Sequence, residues 1–417
     1  MRTLRYVISL GVLCQALLAV GQNVVVGSCK PSLPSYPTIQ QAVNSVPGGA
    51  TVQVCPGAYP EQVVVNKRLT IKGIAAGNAG AAVITVPGGG LVQNTSSLAS
   101  GRPIAAQLLV QAPATSVAIS NLTVDGAGNG IADCDLNPIG IYFQNASGTI
   151  THATVLNEVL GSGLEGCQSG LGIFVQSGGG SSFVSISSNH VENFQKNGIT
   201  GNEIGTNVTI TSNTVIGQGP TTGAAENSIQ IGFGAVGTIA KNTVGSDVWA
   251  PDNIGDAGDA AAGILVYASH GVGITSNNVS NTQFGIVVVS DPSFGDADSS
   301  NVSKNTVSAT HIFDGIDLCS SNNSATMNIV SGSDESGIHI DDSCTGSASG
   351  NVVTKNTINS ACAGILSGPA AGNTTTPNTF YNVTNLRLTG TNLCTPPPLR
   401  VRNAGAKHAM RHQPSRP

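Results

Sequence analysis

The stretch GITGNEIGTNVTITSNTV, residues 198–215, contains both elements of a repeat that runs through most of the chain. The first element is a Gly-Ile dipeptide that opens a short apolar run. It recurs at intervals of 22 to 35 residues, with Ser-Ile once in its place, beginning at Gly140, Gly172, Gly198, Ser228, Gly263, Gly285, Gly315, Gly337 and Gly364. Because a second apolar residue mostly follows two positions after each Ile, the pattern predicts strands with one buried face.

The second element is an asparagine that follows a short apolar and hydroxylated run and precedes another apolar position. It recurs at Asn189, Asn213, Asn242, Asn277, Asn305, Asn328 and Asn356. A single buried Asn would cost free energy, but identical Asn residues stacked on one another can pair their amides above and below. The repeat therefore predicts an internal asparagine ladder.

Strands and turns that repeat in this way, with Ile on Ile and Asn on Asn, describe the coils of a parallel β-solenoid. Successive coils would lie about 4.8 Å apart, the ordinary spacing of paired strands. The 53 glycines suit the turns, and the 4% aromatic content suits a narrow core of small aliphatic side chains. A β-propeller is disfavoured because its repeats would be longer, about 40 residues, with several antiparallel strands each.

The N-terminal segment YPTIQQAVNSVPGGATVQVCPGAYPEQVVVNKRLTIKGI, from Tyr36 to Ile74, resembles the first segment of pectin-lyase-like right-handed β-helix proteins, especially the pectinesterase and NosD-like groups. Within it, Thr38 is the expected cap of a short helix whose apolar face plugs the first coil. The resemblance implies an all-β, single-domain right-handed parallel β-helix, which we place at residues 22–394. It implies little about activity, because this fold carries lyases, hydrolases, esterases, epimerases, adhesins and inert modules.

The two ends of the chain differ from this domain. Arg2 and Arg5 precede an apolar run that ends in small residues, which predicts a secretory signal over residues 1–21; a membrane-anchored form is the alternative. Residues 395–417 are basic and Pro-rich, which predicts a disordered tail, with surface attachment as the minority alternative. Signal and tail hold seven of the 17 Lys and Arg, so ten remain against 22 Asp and Glu in the body. A body charge near −12 disfavours nucleic acid and anionic lipid as partners.

The cysteines support export. Of nine in the chain, Cys14 lies in the signal, and the eight that remain suit disulfides formed in an oxidising compartment. Their order along the coils predicts four bridges between sequential pairs: Cys29–Cys55, Cys134–Cys167, Cys319–Cys344 and Cys362–Cys394.

The stretch DESGIHIDD, residues 334–342, concentrates four carboxylates and a histidine in a chain with only 9% charged residues. If Ile338 and Ile340 point inward, His339 and Asp341 point outward, and the preceding coil places Asp317 beside His339. Asp314 and Glu335 occupy the turns before these strands. The candidate catalytic residues are therefore Asp314, Asp317, Glu335, His339 and Asp341. Binding of a ligand or cation, and simple surface polarity, are the alternatives to catalysis.

A second resemblance concerns Asp314-Gly315-Ile316-Asp317, which is similar to the end of the Asn-Thr-Asp-Gly-Ile-Asp motif of polygalacturonase-type hydrolases. Asp334 and Glu335 resemble that family's later acidic pair, displaced by one residue, but its Gly-His-Gly and Arg-Ile-Lys motifs are missing. The resemblance implies glycoside hydrolysis by two carboxyl groups, one as acid and one as base or nucleophile. Lyase chemistry is disfavoured because the repeat region lacks an arginine base.

Other residues are candidates for substrate or cation binding. Trp249 lies in a long insertion and is a candidate for stacking on a sugar, with packing of its own loop as the alternative. Lys304 precedes a ladder asparagine, as Lys241 and Lys355 do, and is a candidate substrate ligand. The acidic runs at 252–260 and 291–301 offer oxygen ligands for Ca²⁺, although solvated insertions are the simpler interpretation.

Two functional classes follow. The first is a secreted carbohydrate-active enzyme, most plausibly a glycoside hydrolase; the second is a non-catalytic β-helix that binds glycans or acts as a surface spacer. We expect a polysaccharide or cell-surface glycan as partner, no membrane span and a monomer. No cofactor is required by this chemistry, and Ca²⁺ is the metal that the sequence allows.

Overall fold

A computed structural model describes residues 21–75, 80–113, 115–221, 223–249 and 260–390. The predicted signal, apart from Gly21, and the predicted tail lie outside the described residues, as does nearly all of the acidic run at 252–260. Within the described residues, no helix is both long and apolar enough to cross a membrane.

A short helix, α1, at Ile39–Ser45, follows the first two strands of the described chain. The Thr38 hydroxyl accepts a hydrogen bond from the backbone N–H of Gln41 at 3.1 Å, so Thr38 is the predicted N-cap. The apolar face of the helix, with Ile39, Ala42 and Val43, is buried against the first coil. The helix therefore closes the N-terminal end of the core.

The remainder consists of short strands in three sheets, and the strands on the path of each sheet pair in parallel with their equivalents one coil away. The first sheet holds, in order along the molecule, β2 (Ser35–Tyr36), β1 (Asn23–Val26), β3 (Thr51–Val54), β6 (Thr70–Gly73), β10 (Ser116–Ser120), β13 (Ser147–Thr151), β16 (Ser182–Ser187), β19 (Thr206–Thr211), β22 (Val236–Ala240), β25 (Gly273–Thr275), β28 (Asn301–Ser303), β31 (Ser324–Thr326) and β34 (Val352–Thr354).

The second sheet follows the first within each coil. It holds β4 (Gly57–Pro60), β7 (Ala82–Thr85), β11 (Leu122–Asp125), β14 (Thr154–Glu158), β17 (His190–Phe194), β20 (Thr214–Ile216), β23 (Thr243–Asp247), β26 (Asn278–Thr282), β29 (Thr306–Thr310), β32 (Ile329–Ser333), β35 (Thr357–Asn359) and β37 (Thr379–Tyr381).

The third sheet completes each coil. It holds β5 (Val63–Val65), β9 (Pro103–Val110), β12 (Asn137–Gln144), β15 (Leu171–Gln176), β18 (Asn197–Asn202), β21 (Asn227–Gly232), β24 (Ala262–Tyr267), β27 (Phe284–Val289), β30 (Ile316–Cys319), β33 (Ser336–Ile340), β36 (Ala363–Ser367) and β38 (Asn385–Thr389), with β8 (Thr95–Ser96) antiparallel to β9.

The predicted Ile stack forms the centre of the core. Each Ile of the Gly-Ile dipeptides pairs in register with the next along the third sheet, from Ile141 to Ile365, and all are buried. They belong to one continuous apolar cluster that runs from Val24 to Ile365. The repeat pattern therefore predicted the strand register as well as the fold class.

The asparagine ladder is also present, at the corner between the first and second sheets. Each Asn donates from Nδ2 to Oδ1 of the next, from Asn189 through Asn356, at 2.9–3.0 Å. The ladder continues to Asn378, one coil beyond the prediction. A second, shorter ladder of Asn323, Asn351 and Asn373 lies between the third and first sheets and was not predicted.

Three of the four predicted disulfides are present: Cys29–Cys55, Cys134–Cys167 and Cys319–Cys344. Cys362 is also disulfide-bonded, but its predicted partner, Cys394, lies outside the described residues. The bridges connect segments of neighbouring coils, as the order of the cysteines predicted.

Candidate functional site

The predicted acidic site lies on the outward face of β30 and β33. Ile316 pairs with Ile338 and Leu318 with Ile340, and these four side chains are buried in the core. Asp317 pairs with His339 between them. Because alternate residues of a strand point to opposite faces, Asp317 and His339 point away from the core, one coil apart.

Asp317 is nevertheless not solvent-facing, which corrects the expectation for an outward position. Only 1% of the residue is exposed. Its neighbour one coil earlier is the buried Val287, and the stacked rings of Phe284 and Phe313, 4.5 Å apart, lie at the start of the same strands. The outward face of the third sheet is thus itself covered, so Asp317 lies at the base of the site.

Asp314 connects the two coils. Its Oδ1 accepts hydrogen bonds from the backbone N–H and the hydroxyl of Ser336, and its Oδ2 lies 3.2 Å from His339 Nδ1. Asp314 is 1% exposed, whereas the His339 side chain is 19% exposed. Burial disfavours the charged ring, but the nearby Asp314 carboxylate, with its hydrogen bond, and then Asp317 and Asp341 raise the pKa of His339 to about 10. The imidazolium is therefore the positive centre of the site.

Two of the carboxyl groups retain their protons more readily than usual. Burial, then the Asp314 and Asp341 charges, raise the pKa of Glu335 to about 8, with His339 acting in the opposite direction. Burial, then Asp341, also raise the pKa of Asp317 well above its ordinary value. One buried oxygen of Asp317, Oδ1, has no hydrogen-bond partner. Of these two carboxyl groups, the less deeply buried Glu335 is suited to donate a proton to a bound ligand.

Asp341 occupies the outer edge and is only partly buried. Its Oδ1 accepts from the backbone N–H of Ser343 and its Oδ2 from the Ser343 hydroxyl, both at 2.8 Å. In both of these contacts the Asp341 carboxyl group is the acceptor. Asp334 does not face the site: its Oδ2 accepts from the backbone N–H of Ile312 and fixes the preceding turn.

The site offers one arrangement of metal-ligand atoms. Oxygens of Asp314 and Asp317 and a ring nitrogen of His339 lie within 4.8 Å of one another. The ring nitrogen can bind a metal ion only when it carries no proton, so a proton and an ion would compete for this position. Cys319 and Cys344 also lie near Asp341, but their sulfurs form the disulfide. Calcium binding stays a prediction.

The two predicted substrate ligands lie apart from this group. Lys304 lies at the corner between the first and second sheets, the one corner that the third sheet does not adjoin. Trp249 lies at the turn between the second and third sheets, two coils before Asp314. Its indole N–H donates to the carbonyl of Gly223 at 2.7 Å, and Gln283 binds its backbone. These contacts hold the insertion together; sugar stacking by Trp249 stays a prediction.

A second group of buried carboxyls was missed by sequence reasoning. Glu226 and Asp247 flank the two long insertions of the second-to-third-sheet turns, and both are almost fully buried. Burial raises the pKa of Glu226 to about 8, with Gln218, Lys196 and Gly219 acting in the opposite direction. Burial, then Glu226, raise the pKa of Asp247 well above its ordinary value. The sequence did carry a signal for this group, because Glu226 and Asp247 are acidic residues at the ends of the two long insertions.

Comparison with solved structures places the fold among known ones. The A-module of the mannuronan C-5 epimerase AlgE4 from Azotobacter vinelandii is 10% identical, with a TM-score of 0.54 over 84% of this chain and 91% of that one. The GH136 lacto-N-biosidase of Eubacterium ramulus is 14% identical, with a TM-score of 0.58 over 86% and 68%. The surface adhesin PfbA of Streptococcus pneumoniae is 14% identical, with a TM-score of 0.55 over 86% and 89%.

No protein-family model matches the sequence, and no curated protein matches it significantly. At these identities the structural likeness shows the fold alone, while activity varies among the similar proteins. On the strand order, the register and these similarities, the chain is a right-handed parallel β-helix.

Proposed function

We propose that this protein binds a polysaccharide against the outward face of β30 and β33 and cleaves it by glycoside hydrolysis. The observation that carries the proposal is the pair of carboxyl groups in unlike environments, Glu335 and Asp341. Glu335 is 9% exposed with a pKa raised to about 8 by burial, whereas Asp341 is held at the edge by two Ser343 donors. Carboxyl groups that differ in this way are suited to separate acid and base roles.

In this mechanism Glu335 gives its proton to the glycosidic oxygen as the bond between that oxygen and the anomeric carbon breaks. Asp341 either takes a proton from the attacking water or forms a bond to the anomeric carbon that water then hydrolyses. Both routes consume one water and yield two shorter sugars. Asp314 and Asp317 lie too deep to touch a sugar; Asp314 and His339 act on the charge of Glu335 in opposite directions.

Non-catalytic glycan binding is the second candidate, and the burial of Asp314 and Asp317 favours it. A face whose carboxyls are mostly covered offers a substrate only Glu335, His339 and Asp341. The fold is compatible with both outcomes, since a lacto-N-biosidase and a surface adhesin share it. We place the protein outside the cytoplasm, which is supported by the three disulfides.

Release of reducing ends from a panel of plant and bacterial polysaccharides tests the proposal. Wild-type protein should cleave at least one of them, and Glu335→Gln should lose at least about a hundredfold in rate, the scale of a lost general acid. Asp342→Asn, which changes the neighbouring carboxylate outside the assigned pair, is the matched control and should retain the rate. Binding without release by the wild type would favour the non-catalytic alternative and overturn the hydrolase.

A further inference from the structure

A cavity of about 250 Å³ opens at the other edge of the third sheet, where its strands turn toward the first sheet. It lies beside the loops that follow β15, β18, β21 and β27. The side chains and backbone around it come from Gly178, Gly179, Glu203, Ile204, Phe233 and Phe294. None of these residues belongs to the candidate site around Asp317.

The aromatic wall of this cavity is fixed by its neighbours. The ring of Phe294 meets that of Phe233 edge to face, with centroids 5.2 Å apart, and Tyr267 packs against both. The Tyr267 hydroxyl donates to Asp291, whose carboxylate also accepts from the backbone N–H of Ser293 at 2.7 Å. The loop that carries Phe294 is therefore held in place before any ligand arrives.

Apolar side chains at the cavity are open to solvent. Ile204 is 79% exposed and Phe294 47% exposed, and Leu98 packs beside Gly178 at the rim, whereas Phe233 is buried behind Phe294. Other exposed apolar side chains, such as Phe183 and Ile329, also occur on the sheets. The cavity differs in that several of them adjoin one concave surface, as at a binding site.

The backbone at the cavity repeats a feature of this corner. Phe233 has φ 57° and Glu203 has φ 77°, and Asn145 and Ala268, which follow β12 and β24 in the same way, are also left-handed. The left-handed turn therefore belongs to the fold, and it places residues 203 and 233 at the edge of the cavity.

We propose that this cavity binds one uncharged pyranose ring of a glycan. A pyranose has one apolar face of C–H groups, which can stack on the exposed Phe294 ring that the buried Phe233 supports edge to face, and equatorial hydroxyls at its edge, which can donate to the Glu203 carboxylate. The cavity is smaller than the pockets of drug-sized ligands, about 300–1,000 Å³, so it fits one ring rather than an oligosaccharide. The acidic body and Glu203 oppose an anionic sugar.

The cavity is connected to the proposed cleavage face by β27. The Phe294 loop follows this strand, and Val287 in its middle pairs with Asp317 on β30. The pyranose proposal rests on the proposed function only in that both concern glycans, because ring binding needs no cleavage.

Saturation-transfer NMR with the full chain and the methyl glycosides of glucose, galactose, mannose and xylose tests the proposal, with affinity electrophoresis in galactomannan as a second measurement. At least one glycoside should bind, and both Phe294→Ala and Ile204→Ser should weaken its binding tenfold or more. Phe183→Ala removes another exposed phenylalanine, on the first sheet, and should leave binding unchanged. Thermal melts establish that the exposed-site variants fold.

Three outcomes would overturn the proposal: no binding of any neutral glycoside, binding that both variants leave intact, or tighter binding of polygalacturonate or of a phenylalanine-rich peptide than of neutral sugars. Glu335→Gln separates this proposal from the proposed function. That variant should keep full glycoside binding while losing cleavage. If the wild type bound glycosides but cleaved nothing, only the hydrolase proposal would be refuted. If the wild type cleaved a polysaccharide but bound no glycoside, and Phe294→Ala and Ile204→Ser left cleavage unchanged, only the pyranose proposal would be refuted.

Discussion

Replacement of a ladder asparagine, Asn277→Ala, gives the most quantitative expectation for the fold. The Asn277 side chain makes four buried hydrogen bonds. Its Nδ2 donates to the carbonyl of Ile239 at 2.9 Å and to Oδ1 of Asn305 at 3.0 Å. Its Oδ1 accepts from the backbone N–H of Asn242 at 2.9 Å and from its Nδ2 at 3.0 Å. Alanine removes all four.

The cost follows from what is left behind. At about 1 kcal/mol for each lost bond, the four together amount to about 4 kcal/mol. The buried backbone N–H of Asn242, the donor in one of these four bonds, then has no acceptor, and this accounts for about 1–3 kcal/mol of that total. We therefore expect Asn277→Ala to lower the free energy of unfolding by about 4 kcal/mol, a large effect for a single substitution.

Urea unfolding followed by circular dichroism measures the change in global stability. Because repeat proteins can open locally, hydrogen exchange by mass spectrometry should accompany it, with peptides that cover Asn242 expected to exchange faster. The control is Asn278→Ala, the next residue, whose exposed side chain points away from the core. If Asn277→Ala fell within about 0.5 kcal/mol of Asn278→Ala, the ladder would not stabilise the coils as described.

Three further expectations concern the buried acids and the core. Burial raises the pKa of Glu226 from 4.5 to about 8, so this group loses its proton at lower pH in the unfolded chain than in the folded one. The free energy of unfolding should therefore fall as pH rises from about 4.5 to 8, by at most about 5 kcal/mol for this group. Thermal melts of Glu226→Gln across that range should lack this pH dependence, and a pH profile equal to that of the wild type would contradict the assignment. Asp317→Asn should raise the melting temperature at pH 8, because it removes a buried carboxyl with an unpartnered oxygen, and a lowered melting temperature would mean that the carboxylate is paired. Ile338→Asp should prevent folding by placing a carboxylate within the Ile stack, and a variant that folded normally would refute the strand register.

The fold could be predicted because it is periodic. Ile316, Ile338 and their equivalents repeat at each coil, so spacing alone gave the register, the inward face and the pairing of Asp317 with His339. The ladder followed from the same repetition. Its extension to Asn378 was missed because the run before that residue does not keep the apolar pattern.

The environment of the site could not be predicted in the same way. Whether an outward residue meets water depends on side chains of other coils and of irregular turns, which have no period. Asp317 is 1% exposed beside the buried Val287, which lies 30 residues earlier in the sequence on the neighbouring strand. The separation of Lys304 from the acidic group is likewise a consequence of which corner its turn occupies.

The pH dependence of kcat/KM on a cleaved polysaccharide tests the central claim most directly. If Glu335 is the proton donor, kcat/KM should fall above a pH of about 8, the value to which burial raises the pKa of this group. Glu335→Gln should leave only a slow residual rate that shows no such alkaline limb. A limb that persisted in Glu335→Gln, or a Glu335→Gln rate equal to wild type, would contradict the assignment of acid catalysis to this face.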